Sequence, residues 1–204
     1  MKKIYFTLVT LLACTAFSCE TDYGFIDTGL SKTHENKTMY EYLETDAYNW
    51  TLVKQMVDRA GLKPLFNGED PAHKSIMFLG PVDNTIRFWM WENRYLEVKD
   101  MEPGLCKKLI LRYVFNEVYE RERVPEKKSE TGDGGVNLNS MSGNPVWFYS
   151  MKEPYLENPN VMITSLGLLM KDNGQQAFVA SSGIKVKNGM VHSLDDSHKI
   201  GNIN

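Results

Sequence analysis

The chain has 204 residues, 42% of them hydrophobic and 24% charged, with a formal net charge of −3. That is length for one ordinary domain with extensions, and enough apolar residues to bury a core, which excludes a wholly disordered chain. The slight acidic balance, with no Arg/Lys stripe interleaved with aromatics, excludes a nucleic-acid binder.

Met1-Lys2-Lys3 is a short positive head, and Ile4 to Phe17 is an apolar run. It is too short to span a bilayer comfortably and has the form of a signal-peptide core. Cys14 follows Ala13 and Cys19 follows Ser18. The arrangement resembles a bacterial lipoprotein signal, in which a cysteine becomes the first mature residue and carries lipid. Residues 1–18 are the expected signal and Cys19 the expected lipid-attachment residue. Leu11-Leu12-Ala13-Cys14 fits the residue pattern better three positions back, so Cys14 stays as the other candidate. Loss of Lys2 and Lys3 leaves 21 basic against 26 acidic residues, a mature charge of −5. Glu20 and Asp22 resemble the surface-export signal of Bacteroidetes lipoproteins. The implied location is the outer membrane, at the cell surface, anchored through the lipid.

Residues 19–37 read as a polar tether and residues 38–204 as the domain. Thr38 and Glu41 form a capping-box pattern opening a short helix to about Thr45. Asp46 or Asn49 can cap a second helix, in which Trp50, Val53, Met56, Val57 and Ala60 recur at three- and four-residue spacing. Gly61 terminates it. Leu65 to Gly68 reads as a turn. Ser75 to Leu79, an apolar run stopped by Gly80-Pro81, reads as a buried strand. Asp83 or Asn84 can cap a helix through Ile86, Phe88, Trp89 and Met90. Pro103 opens a further helix. On it Cys106, Leu109, Ile110 and Tyr113 share one face, so the domain's single cysteine reads as a packed core thiol.

Val114 to Val124 reads as helix exit plus strand, and Pro125 to Gly135 as a charged, glycine-rich mobile loop. Val146 to Tyr149 is a strand by β-propensity. Glu153 to Asn160 reads as a proline-containing loop, Val161 to Met170 as a strand and Asp172-Asn173-Gly174 as a turn. Ile184 and Val186 alternate with Lys185 and Lys187. Asn188-Gly189 then supplies the positive φ of a tight hairpin turn, and the last strand carries His192 and Asp195. Helices first and regularly spaced strands after them predict an α+β fold: helices against a mostly antiparallel sheet.

Several segments resemble the fasciclin (FAS1) domain. Thr38 to Leu43 with Leu52 to Leu62, including Ala60-Gly61-Leu62, is similar to its opening helices. Ile76-Met77-Phe78-Leu79-Gly80-Pro81-Val82-Asp83-Asn84 is similar to its strand-and-turn signature. Asn188-Gly189-Met190-Val191-His192-Ser193-Leu194-Asp195 is similar to its second signature. Leu111 to Phe115 sits where the family carries Leu-Leu-x-Tyr-His, with Val114 in place of the histidine. Leu138 to Val146 looks like a further strand of the pattern. The resemblance implies a wedge or sandwich of mostly antiparallel strands with helices on one side, the two signatures side by side in one sheet. It also implies a non-catalytic role in adhesion or extracellular protein interaction.

His192, Asp195, Asp196 and His198 lie close in sequence, but a metal site needs three or four converging ligands. His192 reads instead as a structural histidine bonded within the sheet. Neither Gly132 to Gly135 nor Ser181-Ser182-Gly183 follows a strand into a helix, so neither cradles phosphate. No catalytic residue, cofactor or metal is expected. The aromatics have functional promise. Trp89 and Trp91 flank Met90, and Trp147-Phe148-Tyr149 lies on a strand, so one of each set can face out to a protein or sugar, although packing in the core is the leading reading of both sets. The expected partner is the membrane, through the lipid, plus an envelope or extracellular protein or glycan. The alternative reading is a glycan-binding accessory lipoprotein of a polysaccharide-uptake system.

Overall fold

The computed structural model describes residues 35–129, 132–156 and 158–203. Cys14, Cys19, the expected signal and all of the tether before Glu35 lie outside the described residues.

Helix α1 (Met39–Leu43) opens with the capping box in place: Thr38 Oγ1 accepts from the Glu41 N–H, and the Glu41 carboxylate accepts from the Thr38 N–H. Asp46 caps α2 (Ala47–Arg59) by accepting from the N–H groups of Tyr48 and Asn49. Trp50, Val53, Met56 and Val57 form its buried stripe. Each contributes roughly 1.5–3 kcal/mol of burial. Leu65 and Phe66, expected to open a turn, instead close a short helix α3 (Lys63–Phe66). Pro64 suits a first helical turn, and burial of Leu65 and Phe66 holds the segment down.

Strand β1 (Ile76–Gly80) is buried along its whole length. Helix α4 (Asp83–Glu92) follows, then a 3₁₀ turn (Val98–Asp100), helix α5 (Pro103–Leu111) and strand β2 (Val114–Phe115). Asp83 does not cap α4. Its carboxylate accepts from the backbone N–H groups of Leu52 and Val53, tying α4 to α2. Burial pushes the Asp83 carboxyl up, and those donors oppose the shift. The strand expected to reach Val124 stops at Phe115. β2 pairs only with Met77 and Phe78, Val118 is exposed, and residues 121–123 coil into a 3₁₀ turn. Alternation without a partner strand does not make one.

The second half is strands: β3 (Val136–Asn139), β4 (Pro145–Tyr155), β5 (Asn158–Met170), β6 (Gln175–Val186) and β7 (Gly189–Leu194). The loop expected over 153–160 is instead the end of a long β4–β5 hairpin, with the register shifting at Pro154/Tyr155. A proline is tolerated there because the strand is leaving its ladder. The expected loop over 125–135 is pinned at both flanks. Ser150 donates its N–H to the Pro125 carbonyl and accepts from the Lys127 N–H, while Gly135 donates to the Glu126 carbonyl.

Among the described residues the strands join one seven-stranded sheet in the order β2-β1-β7-β6-β5-β4-β3. Every pairing is antiparallel except β1–β7, which is parallel, with Phe78 beside Val191 and Leu79 beside His192. The two signature segments are therefore sheet neighbours, as expected. β5 and β6 pair only over 167–170 and 175–178, and beyond that β6 pairs with β7 alone. Register shifts in β6 fall around Ser181-Ser182-Gly183, the glycine at φ +73°. The helical half packs on the β1 end, where Trp50 and Phe66 lie 6.2 and 5.3 Å from Phe78. The fold is α+β.

Candidate functional site

The polar groups near the chain end are consumed by structure. His192 on β7 is fully buried. Its Nδ1 accepts from the Gly183 N–H at 3.3 Å, which leaves Nε2 to donate to the Tyr119 carbonyl at 3.0 Å. Phe148 meets the ring edge-on. Burial lowers its pKa to about 4, so the ring is neutral at physiological pH. His192 is the hydrogen-bonded sheet histidine the sequence suggests.

His198 is buried against Tyr113, whose phenol lies 2.7 Å from Nε2, while Nδ1 meets the Gln176 carbonyl at 3.2 Å. Burial lowers the His198 pKa and raises that of Tyr113. Tyr113 thus takes its histidine neighbour from the tail of the chain. β7 ends at Leu194, so Asp195 and Asp196 lie past the strand and not on its alternating faces. Among the described residues no group of three or more His, Cys, Asp or Glu is placed to hold a metal ion.

Two more groups belong to the core. Cys106 is a buried free thiol on α5, and burial pushes its pKa up. Arg112 is buried and bonds Asp172 at 2.7–2.8 Å, and the same carboxylate accepts from Asn144. This set joins the end of α5 to the β3–β4 and β5–β6 turns.

The two aromatic sets behave differently. Trp147, Phe148 and Tyr149 are all buried, so none of that set faces out. Trp147 and Tyr149 lie 4.3 Å apart on one face, and Trp147 Nε1 donates to the Gly134 carbonyl of the loop above them. On α4 one member does face out. Ile86, Trp89 and Met90 are buried, with Trp89 stacked on Tyr95 and donating Nε1 to the Gly201 carbonyl. Trp91 is 73% exposed and Phe88 41%, their rings 6.0 Å apart. Lys199 Nζ lies 5.5 Å from the Phe88 ring centre.

Beside Trp91 is an open depression of about 950 Å³. Its walls come from the end of α4 (Asn93, Arg94), the β5–β6 turn (Asn173, Gln175) and the tail (Lys199, Asn202). Sequence reasoning found Trp91 but missed Arg94 and the tail. The signal for Arg94 was its place just past a helix end with no glycine nearby.

No protein-family description matches the chain, and no curated protein matches it. Among solved structures, a FAS1 domain pair from the insect cell adhesion molecule fasciclin I is similar to it, with 12% identity and a TM-score of 0.47. The match covers 71% of this chain and 43% of that one, so this chain spans less than half of that structure.

Proposed function

We propose that this is a lipid-anchored protein of the Gram-negative outer membrane, displayed at the cell surface, whose single domain works by recognition and not by catalysis. Its role is adhesion or extracellular protein interaction. The observation that carries the reading is the solvent-facing Trp91–Phe88 pair. It stands on a helix whose other face is held in the core by Ile86, Trp89 and Met90. A large aromatic presented on a rigid element contributes contact area with little ordering cost, which is how recognition hot spots are built. The leader sequence and Cys19 support the anchoring.

Intact cells carrying Trp91→Ala test the reading. Attachment to surfaces or partner cells falls several-fold while display of the protein is unchanged. Attachment equal to wild type overturns it. Cys19→Ala tests the anchor separately, because the protein is then released from the membrane fraction. A second reading, a glycan-binding accessory lipoprotein, is favoured by the carboxamides around Trp91.

A further inference from the structure

We infer that the depression beside Trp91 is a subsite for an acidic oligosaccharide, with a sugar ring stacked on Trp91 and a uronate carboxylate held by Arg94. This rests on the reading of the Trp91 face as a recognition surface and names its ligand chemistry.

The first observation is backbone strain in a telling place. Helix α4 ends with the Tyr95 N–H bonded to the Met90 carbonyl and the Arg94 N–H to that of Trp91. The closing residue of such a cap takes a left-handed conformation, and glycine fills it at least cost. Here it is Arg94, at φ 63°. Among the described residues only Leu156 shares that strain without being glycine. Those two cap bonds account for the left-handed backbone, but the Arg94 side chain itself makes no ion pair or hydrogen bond among the described residues and is exposed beside Trp91. Glycine would form the same cap at less cost, so an arginine kept there with an unpartnered guanidinium points to a functional use of the side chain.

The second observation is the chemistry that surrounds it. Trp91 offers an apolar face of the kind that stacks on the C–H face of a pyranose. Gln175 and Asn202 present carboxamides with no side-chain partner among the described residues, and each can both donate to and accept from a hydroxyl. Asn93 and Asn173 are held in place, donating to the carbonyls of Trp89 and Ile200. Two cations, Arg94 and Lys199, face one carboxylate, Glu92, so the depression is locally positive on a chain of net charge −3. A guanidinium binds a carboxylate through two parallel hydrogen bonds. The volume suits a short oligosaccharide better than a single ring.

The test titrates the purified full chain with hexagalacturonate and with cellohexaose, following tryptophan fluorescence and heat. The acidic hexasaccharide binds at least ten-fold more tightly than the neutral one, and Trp91→Ala abolishes binding. Arg94→Gly weakens the acidic hexasaccharide ten-fold or more, while its Tm rises by about 2 °C or more as the left-handed strain is relieved. A purely structural role for Arg94 cannot give those opposite signs. Equal affinity for the two sugars, wild-type affinity in Arg94→Gly, or binding of neither sugar overturns the inference. If neither sugar binds yet Trp91→Ala still lowers cell attachment, the recognition surface stands and its saccharide assignment falls.

Discussion

Gly189 and Ile76 are paired in the parallel β1–β7 ladder, and the Ile76 carbonyl oxygen occupies the space a β-carbon at position 189 would need. The glycine is required by this close approach as much as by its φ of +140°. The two central residues of the hairpin loop are Lys187 and Asn188, and neither has positive φ. The expected role of Asn188-Gly189 is corrected accordingly: Gly189 begins the strand, and the asparagine does something else.

Gly189→Ala is expected to break the β1–β7 register, because backbone cannot yield as a flexible side chain can. The loss is more than about 3 kcal/mol, and poor recovery of folded protein is the extreme outcome. Urea unfolding of the variant checks it; an unchanged midpoint contradicts the close approach.

Asn188 links three distant parts of the chain. Its Oδ1 accepts from the Met39 N–H at 2.7 Å, its Nδ2 donates to the Phe66 carbonyl at 2.9 Å, and its own carbonyl accepts from the Ile76 N–H. Asn188→Ala strands two buried backbone groups and is expected to cost about 2–4 kcal/mol. Asn188→Asp keeps the acceptor but loses the donor, so it also destabilises. Hydrogen exchange adds a local readout: the Met39 amide loses its protection in the alanine variant.

His192 sets a sign for the pH dependence. Its folded pKa, about 4, lies below the ordinary value of 6.5. The unfolded chain therefore takes up a proton that the folded one refuses. The stabilisation is complete above pH 6.5 and is lost as pH falls from there towards 4, by up to about 3 kcal/mol. His198, lowered by burial too, acts in the same direction. Denaturant midpoints between pH 7.5 and 4.5 should fall, and His192→Gln should flatten the slope. An equally steep slope in that variant assigns the effect elsewhere.

Cys106 should be silent to a thiol reagent in the folded protein. It is fully buried, and its pKa is raised, so thiolate is scarce at neutral pH. Dithionitrobenzoate is expected to react at most at the rate of unfolding, and promptly once denaturant is added. Fast labelling of the native protein would falsify the core assignment.

Local rules carried the sequence reading a long way. The Thr38–Glu41 box, the Asp46 cap, the α2 stripe, the proline start of α5 and the β6–β7 hairpin are all set by residues within a few positions of one another. Helical and strand periods make such features visible in one dimension. The buried Cys106 was legible for the same reason, as one member of a helix face.

What tertiary structure alone decided are contacts between segments with no shared period. Asp83, an obvious cap for its own helix, turned to the N–H groups of α2 because that helix packs against it. Trp147, Phe148 and Tyr149 fall on both faces of β4, and a loop from upstream, through Gly134 and Gly135, covers the face of Trp147 and Tyr149. Tyr113 met a histidine 85 residues away. The Trp91 depression needs a helix end, a strand turn and the tail at once, and only folding brings these three together. Spacing along a chain specifies which face a side chain takes within its element; what meets that face depends on packing among elements, which the spacing does not encode.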